Sequence, residues 1–192
     1  MKGRLLGFAS EARAILADAQ AEFWGLSAEE LNWKPGPERW SVAQCLDHLV
    51  RIDGAYWPVF EQIEAGAYRP SLARRTIGMP ALFGRLVLGA VEPRSPRAYR
   101  TSRNAEPAKG DIDVGILQRF ERHQHELIRH IEQLDARDAG DVVIPSPVAP
   151  IASYTVYDAL RILVAHERRH LQQARRVTET AGFPKITPRR SA

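Results

Sequence analysis

Four long stretches of the chain repeat apolar residues at every third or fourth position, the spacing of a helix that buries one face. They run from about residue 4 to 26, from Ser41 to about Gly66, from about 113 to 135, and from Thr155 to about 181. The chain shows no convincing alternation of apolar and polar residues, which is the pattern of a strand. The sequence therefore predicts an all-α protein, a four-helix bundle in which each helix buries its apolar stripe against the others.

Capping signatures and one proline refine the limits of these helices. Ser41 is followed by Gln44, and Thr155 by Asp158. At this spacing the first side chain accepts a hydrogen bond from the backbone amide three residues later, so both pairs predict helix starts. Pro58 lies inside the second stretch, and because it lacks an amide hydrogen we expect it to kink that helix.

The two long connectors between the predicted helices are rich in proline. Residues 141–154 hold three prolines, and we expect no regular structure there. Residues 67–110 form a basic Pro/Arg-rich insertion between helices 2 and 3, with a short predicted helix over residues 80–91. Its arginines could bind carboxylates or phosphates of an anionic substrate, although a solvated loop explains them equally well. The sparse aromatic residues argue against a nucleic-acid partner.

The length and composition predict one domain, over residues 1–188, followed by a disordered tail over residues 189–192. The longest apolar runs are too short to span a membrane, and the N-terminus is too polar for a signal peptide. A lone cysteine, Cys45, cannot build a disulfide framework, which favours a reducing cytoplasm. We expect Cys45 to lie in the core, because a free cysteine usually does.

The fourth stretch contains His166-Glu167-Arg168-Arg169-His170, a match to the H-E-x-x-H pattern of zinc peptidases. If Leu163 marks the centre of the apolar stripe, His170 lies about 20° and His166 about 60° from it on a helical projection. Both imidazoles are then expected inside the bundle. Two inward neutral imidazoles need partners for their nitrogens, and a bound metal ion would satisfy them.

His48, at the edge of the second apolar stripe, is the best candidate for a third ligand. Three imidazoles leave coordination positions open, as in catalytic rather than closed structural sites. The remaining histidines fit less well: we expect His125 and His130 in solvent. We expect His123 at a boundary, with contact to the site as its alternative. Glu167 is expected at the flank of its stripe. The peptidase interpretation is minor, because the short C-terminal remainder offers only Glu179 as a further ligand and the chain offers no strand to bind peptide.

Two short motifs and the closing segment resemble a known family. WSVAQCLDHL, which contains His48, resembles the second-helix signature of DinB-like (DinB/YfiT-like) proteins, and HERRHLQQ resembles their fourth-helix signature. The closing AGFPKITP is also similar. The resemblance implies a bundle that holds a divalent metal, zinc or nickel, on His48, His166 and His170, often in a homodimer. It also implies relatives that are thiol-dependent transferases and isomerases. The insertion at 67–110 departs from the compact form of the family, so its role is not inherited.

The leading hypothesis is a metal-dependent enzyme that transfers or isomerises a small-molecule substrate with the help of a low-molecular-weight thiol. A divalent ion on neutral ligands lowers the pKa of a bound thiol or water enough to create a nucleophile near neutral pH. Two alternatives stay open: a metal-dependent hydrolase with an HExxH-like zinc site, and a non-catalytic metal-binding module. Four aromatic residues could line the cavity, with ordinary core packing as the simpler role for each: Trp40, Trp57, Tyr154 and Tyr157.

Overall fold

A computed structural model describes residues 2–70, 107–108, 110–147 and 152–184. It confirms the all-α class, with helices α1 Leu6–Phe23, α2 Ala28–Asn32, α3 Val42–Gly54, α4 Trp57–Glu64, α5 Ile116–Ala136 and α6 Val156–Glu179. A 3-10 turn spans Ala139–Asp141, and two short strands are β1 Val143–Pro145 and β2 Ser153–Thr155. The predicted helix at 80–91, most of the basic insertion and the tail at 189–192 lie outside the described residues.

Both predicted capping signatures are present at helix starts. Ser41 Oγ accepts from the Gln44 amide at 3.1 Å, and the Gln44 side chain accepts from the Ser41 amide at 3.2 Å. Thr155 Oγ1 accepts from the Asp158 amide at 3.1 Å. These bonds pair amides that no helical carbonyl can reach, and so they fix the first turns of α3 and α6.

The prediction that Pro58 kinks a continuous helix is wrong, because one helix ends before Pro58 and a second helix begins next to it. α3 ends at Gly54, and α4 begins at Trp57 with Pro58 in its first turn. The first turn of a helix needs no hydrogen bond from its amides, so a proline fits there without strain. Gly66 follows the end of α4 with φ of +69°, a conformation that glycine adopts readily.

The expectation of no regular structure over residues 141–154 is also wrong. β1 and β2 pair antiparallel, with Ile144 opposite Tyr154, and both of these side chains are buried. Pro145 ends β1, a position where a strand tolerates a residue without an amide hydrogen. The hairpin leads directly into Thr155 and therefore sets where α6 begins.

The helices pack around a shared core. α1 and α3 each lie against both α5 and α6, which is the packing that a four-helix arrangement requires. One apolar cluster surrounds Leu127 and Leu163, and the other surrounds Phe23, Leu46 and Phe120. Within the described part of the chain, no helix combines the length and the hydropathy needed to cross a membrane.

Candidate metal centre

The three predicted ligands meet between α3 and α6. His48 lies on α3, and His166 and His170 lie one turn apart on α6. One ring nitrogen of each lies within 4.8 Å of the corresponding nitrogens of the other two. The Nε2 atoms of His48 and His166 are 3.1 Å apart. The structure therefore brings together all three histidines that the sequence singled out.

The cluster is nearly shielded from solvent. His48 is 4% and His170 8% exposed, whereas the His166 side chain keeps 12% of its surface accessible. The Trp40 ring stacks on His170 at 5.5 Å between centroids and lies 4.9 Å from the His48 ring. Trp40 is itself only half-buried. It therefore forms an aromatic wall where the cluster approaches the surface.

This arrangement fits a divalent ion. Two nitrogens bound tetrahedrally to one ion at 2.0–2.1 Å lie about 3.3 Å apart, close to the observed separation of His48 and His166. Burial is the main cause that lowers the pKa of His170 well below its usual 6.5, and the charges of His166 and His48 lower it further. A neutral imidazole is the form that binds metal, so the site favours the required protonation state.

A buried carboxylate lies behind the cluster. Asp53, on α3, is fully buried, and its Oδ1 atom lies 3.3 Å from Nδ1 of His166. Burial alone would raise the pKa of Asp53, but its interactions with His123 and His166 outweigh that effect and lower the pKa. The ionised carboxylate favours a proton on Nδ1 of His166, which leaves the Nε2 lone pair directed toward His48.

Two expectations about neighbouring residues are corrected. Glu167 is not at a flank but fully buried, where Gln124 Nε2 donates to its Oε1 atom. Burial, and then the charge of Asp53, raises the pKa of Glu167 well above its ordinary value. His130 is buried against Glu64 on α4 instead of lying in solvent. The physical reason is that α4 packs against α5 at this position, where the rings of Trp57 and Phe60 lie next to His130.

The sequence also predicted the degree of burial of His123, His125 and Cys45. His123 is 3% exposed and stacks on Trp57 at 5.1 Å between ring centroids, so it lies deeper than a boundary residue. His125 is exposed, as expected. Cys45 is fully buried, also as expected. Burial raises the pKa of its thiol to about 12.

Sequence reasoning missed Asp53, Gln124 and Glu167 as members of the site. Each of these follows an inward apolar residue by four positions, after Leu49, Phe120 and Leu163 respectively. A residue four positions on lies about 40° away on a helical projection, and so it shares the buried face. Polar side chains at such positions were therefore a usable signal.

Comparison with known proteins finds matches that cover most of the chain. The chain matches the DinB superfamily over residues 13–174. It is also 28% identical over 171 residues to the uncharacterized protein YuaE of Bacillus subtilis (strain 168), a match that covers 86% of this chain and 96% of YuaE. No solved structure matches the chain. Because the family match spans most of the sequence and includes all three histidines, the chain belongs to the DinB superfamily.

Proposed function

We propose that this protein is a metal-dependent enzyme in which His48, His166 and His170 hold a divalent ion, zinc or nickel, and in which a low-molecular-weight thiol is the nucleophile. The observation that carries the proposal is the convergence of three imidazoles from two helices within 4.8 Å. A set of three neutral ligands leaves the charge of the ion uncompensated and leaves coordination positions open. When bound, such an ion lowers the pKa of a thiol or water that binds to it.

The residues around the cluster suit this role. Asp53 orients the His166 ring through Nδ1, and Trp40 covers His48 and His170 on the side toward solvent. An aromatic wall that limits access also limits competing water, which supports transfer to a small substrate over hydrolysis. The partial exposure of His166 leaves a route by which a small molecule can approach.

The thiol has to come from outside the chain. Cys45 is the only cysteine in the sequence, and its side chain is fully buried. A thiol with a pKa of about 12 is almost entirely protonated at neutral pH, and a protonated thiol is a poor nucleophile. The protein could supply the ion and the binding surface, while a soluble thiol supplies the sulfur.

A peptidase mechanism has less support from the geometry. In an H-E-x-x-H peptidase the glutamate acts as the general base for metal-bound water. Here Glu167 is fully buried, is hydrogen-bonded to Gln124 and is held next to Asp53. A carboxyl group in that position is turned toward the core, away from an incoming substrate.

Cobalt substitution tests the proposal without knowledge of the substrate. The metal-depleted protein is loaded with Co²⁺, and glutathione is then added while the absorption spectrum is recorded. A thiolate that binds the ion produces a sulfur-to-cobalt charge-transfer band in the near ultraviolet, and we expect this band in the wild type. The matched control is His170→Ala, which should bind less Co²⁺ than the wild type and show no band. His125→Ala, on the exposed face of α5, should behave as the wild type does.

Other outcomes would favour a different function or contradict the metal site. Ester hydrolysis by the zinc-loaded protein without added thiol, and no charge-transfer band, would favour a hydrolase. Stoichiometric metal with no exchangeable position, no band and no turnover with thiol–electrophile pairs would indicate a non-catalytic module. Elemental analysis that finds no metal in either the wild type or His170→Ala after reconstitution would contradict the site itself.

A further inference from the structure

A second group of potential ligands lies in the core beside the three histidines. It consists of Asp53 from α3, His123 from α5 and Glu167 from α6, each at most 3% exposed. Nε2 of His123 lies 3.8 Å from Oδ2 of Asp53 and 3.9 Å from Oε1 of Glu167. One nitrogen and two carboxylate oxygens of this group lie within 4.8 Å of one another.

The group contains polar atoms that the surrounding protein does not satisfy. Among the described residues, Asp53 Oδ2, His123 Nε2 and Glu167 Oε2 are buried without a hydrogen-bond partner. The separations from His123 are too long for hydrogen bonds. A buried donor or acceptor without a partner lowers the stability of the folded protein by about 1–3 kcal/mol. Three such atoms in one place therefore indicate a bound species that interacts with all of them.

We propose that Asp53, His123 and Glu167 form a second divalent-metal site, distinct from the three-histidine cluster. Nitrogen and oxygen ligands bound to one ion lie about 3.0–3.4 Å apart, so small side-chain rotations would close the observed gaps. A mixed set of one imidazole and two carboxylates suits borderline ions such as Zn²⁺, Fe²⁺ or Mn²⁺. The site therefore takes a transition-metal ion, not an organic ligand.

Charge balance supports a cation at this position. Two ionised carboxylates next to each other in the core repel, and burial penalises both charges. A divalent ion offsets both negative charges and gives a neutral group. Gln124 donates a hydrogen bond to Glu167 and is therefore placed to orient that ligand.

Asp53 would connect the two sites. Its Oδ1 atom faces Nδ1 of His166, and its Oδ2 atom faces His123. An ion bound through Oδ2 would therefore act on the three-histidine cluster through one carboxylate and one imidazole. The second group shares none of its three residues with the three-histidine cluster, so it could bind an ion whether or not that cluster does.

Metal stoichiometry tests the second site. The metal-depleted protein is incubated with excess Zn²⁺, desalted and submitted to elemental analysis, with circular dichroism as the check on folding. We expect two equivalents per chain in the wild type, and one in His123→Gln and in Glu167→Gln. His125→Gln, the same substitution at an exposed position of α5, should retain two. His170→Ala should lose the other equivalent, so the two sites are counted separately.

A crystal of the wild-type protein grown with Zn²⁺ provides a readout that does not depend on variants that fold poorly. We expect an anomalous-difference peak between Asp53, His123 and Glu167. The proposal would be overturned if the wild type binds one equivalent, only His170→Ala removes it, and the crystal shows no such peak. A buried water or a shared proton would then satisfy these atoms. If His123→Gln loses an equivalent and His170→Ala does not, the second site stands and the three-histidine proposal fails.

Discussion

Oδ1 of Asp53 lies 3.3 Å from Nδ1 of His166, on the side of the ring opposite the Nε2 atom that faces His48. The aspartate comes from α3 and the histidine from α6, so the contact joins the two helices that carry the proposed metal ligands. A carboxylate at this position fixes both the tautomer and the orientation of a ligand imidazole. The contact therefore holds His166 in the tautomer and orientation that the proposed metal site requires.

The first prediction concerns this contact. Asp53→Asn removes the negative charge and lets the amide present either its oxygen or its nitrogen to the ring, so the tautomer is no longer fixed. We expect the affinity of the three-histidine cluster for Ni²⁺ to fall about 10–100-fold, as when other residues hydrogen-bonded to metal ligands are lost. Isothermal titration of the metal-depleted protein measures the change. Asp47→Asn, at a half-buried position of the same helix, should leave the affinity unchanged; equal losses in both variants would contradict the assigned role.

The second prediction concerns the stability of the metal-free protein in acid. Burial, and then the charges of His166 and His48, lowers the pKa of His170 below 6.5 in the folded state, whereas the unfolded chain keeps the ordinary value. Below about pH 6.5 the unfolded state therefore binds more protons than the folded state. The free energy of unfolding should fall by up to about 1.4 kcal/mol per pH unit from this group until the folded-state pKa is reached.

Urea unfolding of the metal-free protein between about pH 7.5 and about pH 5.5 measures this slope. His170→Asn removes the titrating group, so its slope should be shallower than that of the wild type. His125→Asn removes an exposed histidine of α5 and should retain the wild-type slope. Parallel pH profiles for the wild type and His170→Asn would show that His170 titrates normally in the folded protein.

The third prediction concerns Cys45. Its side chain is fully buried and burial raises the pKa of the thiol to about 12, so the folded protein should resist thiol-directed reagents. Iodoacetamide at about pH 8 should leave the native protein unmodified over a period in which glutathione reacts completely. The same reagent should add one group per chain in guanidinium. Mass spectrometry counts the additions, and rapid labelling of the native protein would mean that Cys45 is accessible to substrates.

The inward-facing pair His166 and His170 was predictable because its position follows from helical geometry alone, whereas the meeting of His48 with this pair also requires α3 to lie against α6. His166 and His170 share one face of any helix that includes both, and His48 lies at the edge of an apolar stripe. The capping pairs at Ser41 and Thr155 likewise depend on residues only three positions apart, so local chemistry determined them. Such features require no knowledge of which helices become neighbours.

The features that were missed depend on packing between distant parts of the chain. Asp53, His123 and Glu167 become one group only because α3, α5 and α6 meet at their level of the core. The burial of His130 depends on α4, which restarts after a break that periodicity did not reveal. The pairing of β1 with β2 joins three residues on each side and leaves no periodic pattern long enough to detect.

The fourth prediction concerns the cap that starts the helix on which His48 lies. Ser41 is 1% exposed, its hydroxyl accepts from the Gln44 amide, and the Gln44 side chain accepts from the Ser41 amide. Ser41→Ala leaves the Gln44 amide buried without that partner, and we expect it to lower the free energy of unfolding by about 1 kcal/mol. Ser10→Ala, at an exposed position within α1, should change it by less than about 0.5 kcal/mol. Urea denaturation of the three proteins at one pH compares the values. Equal stabilities for Ser41→Ala and the wild type would mean that the capping box does not stabilise the start of α3.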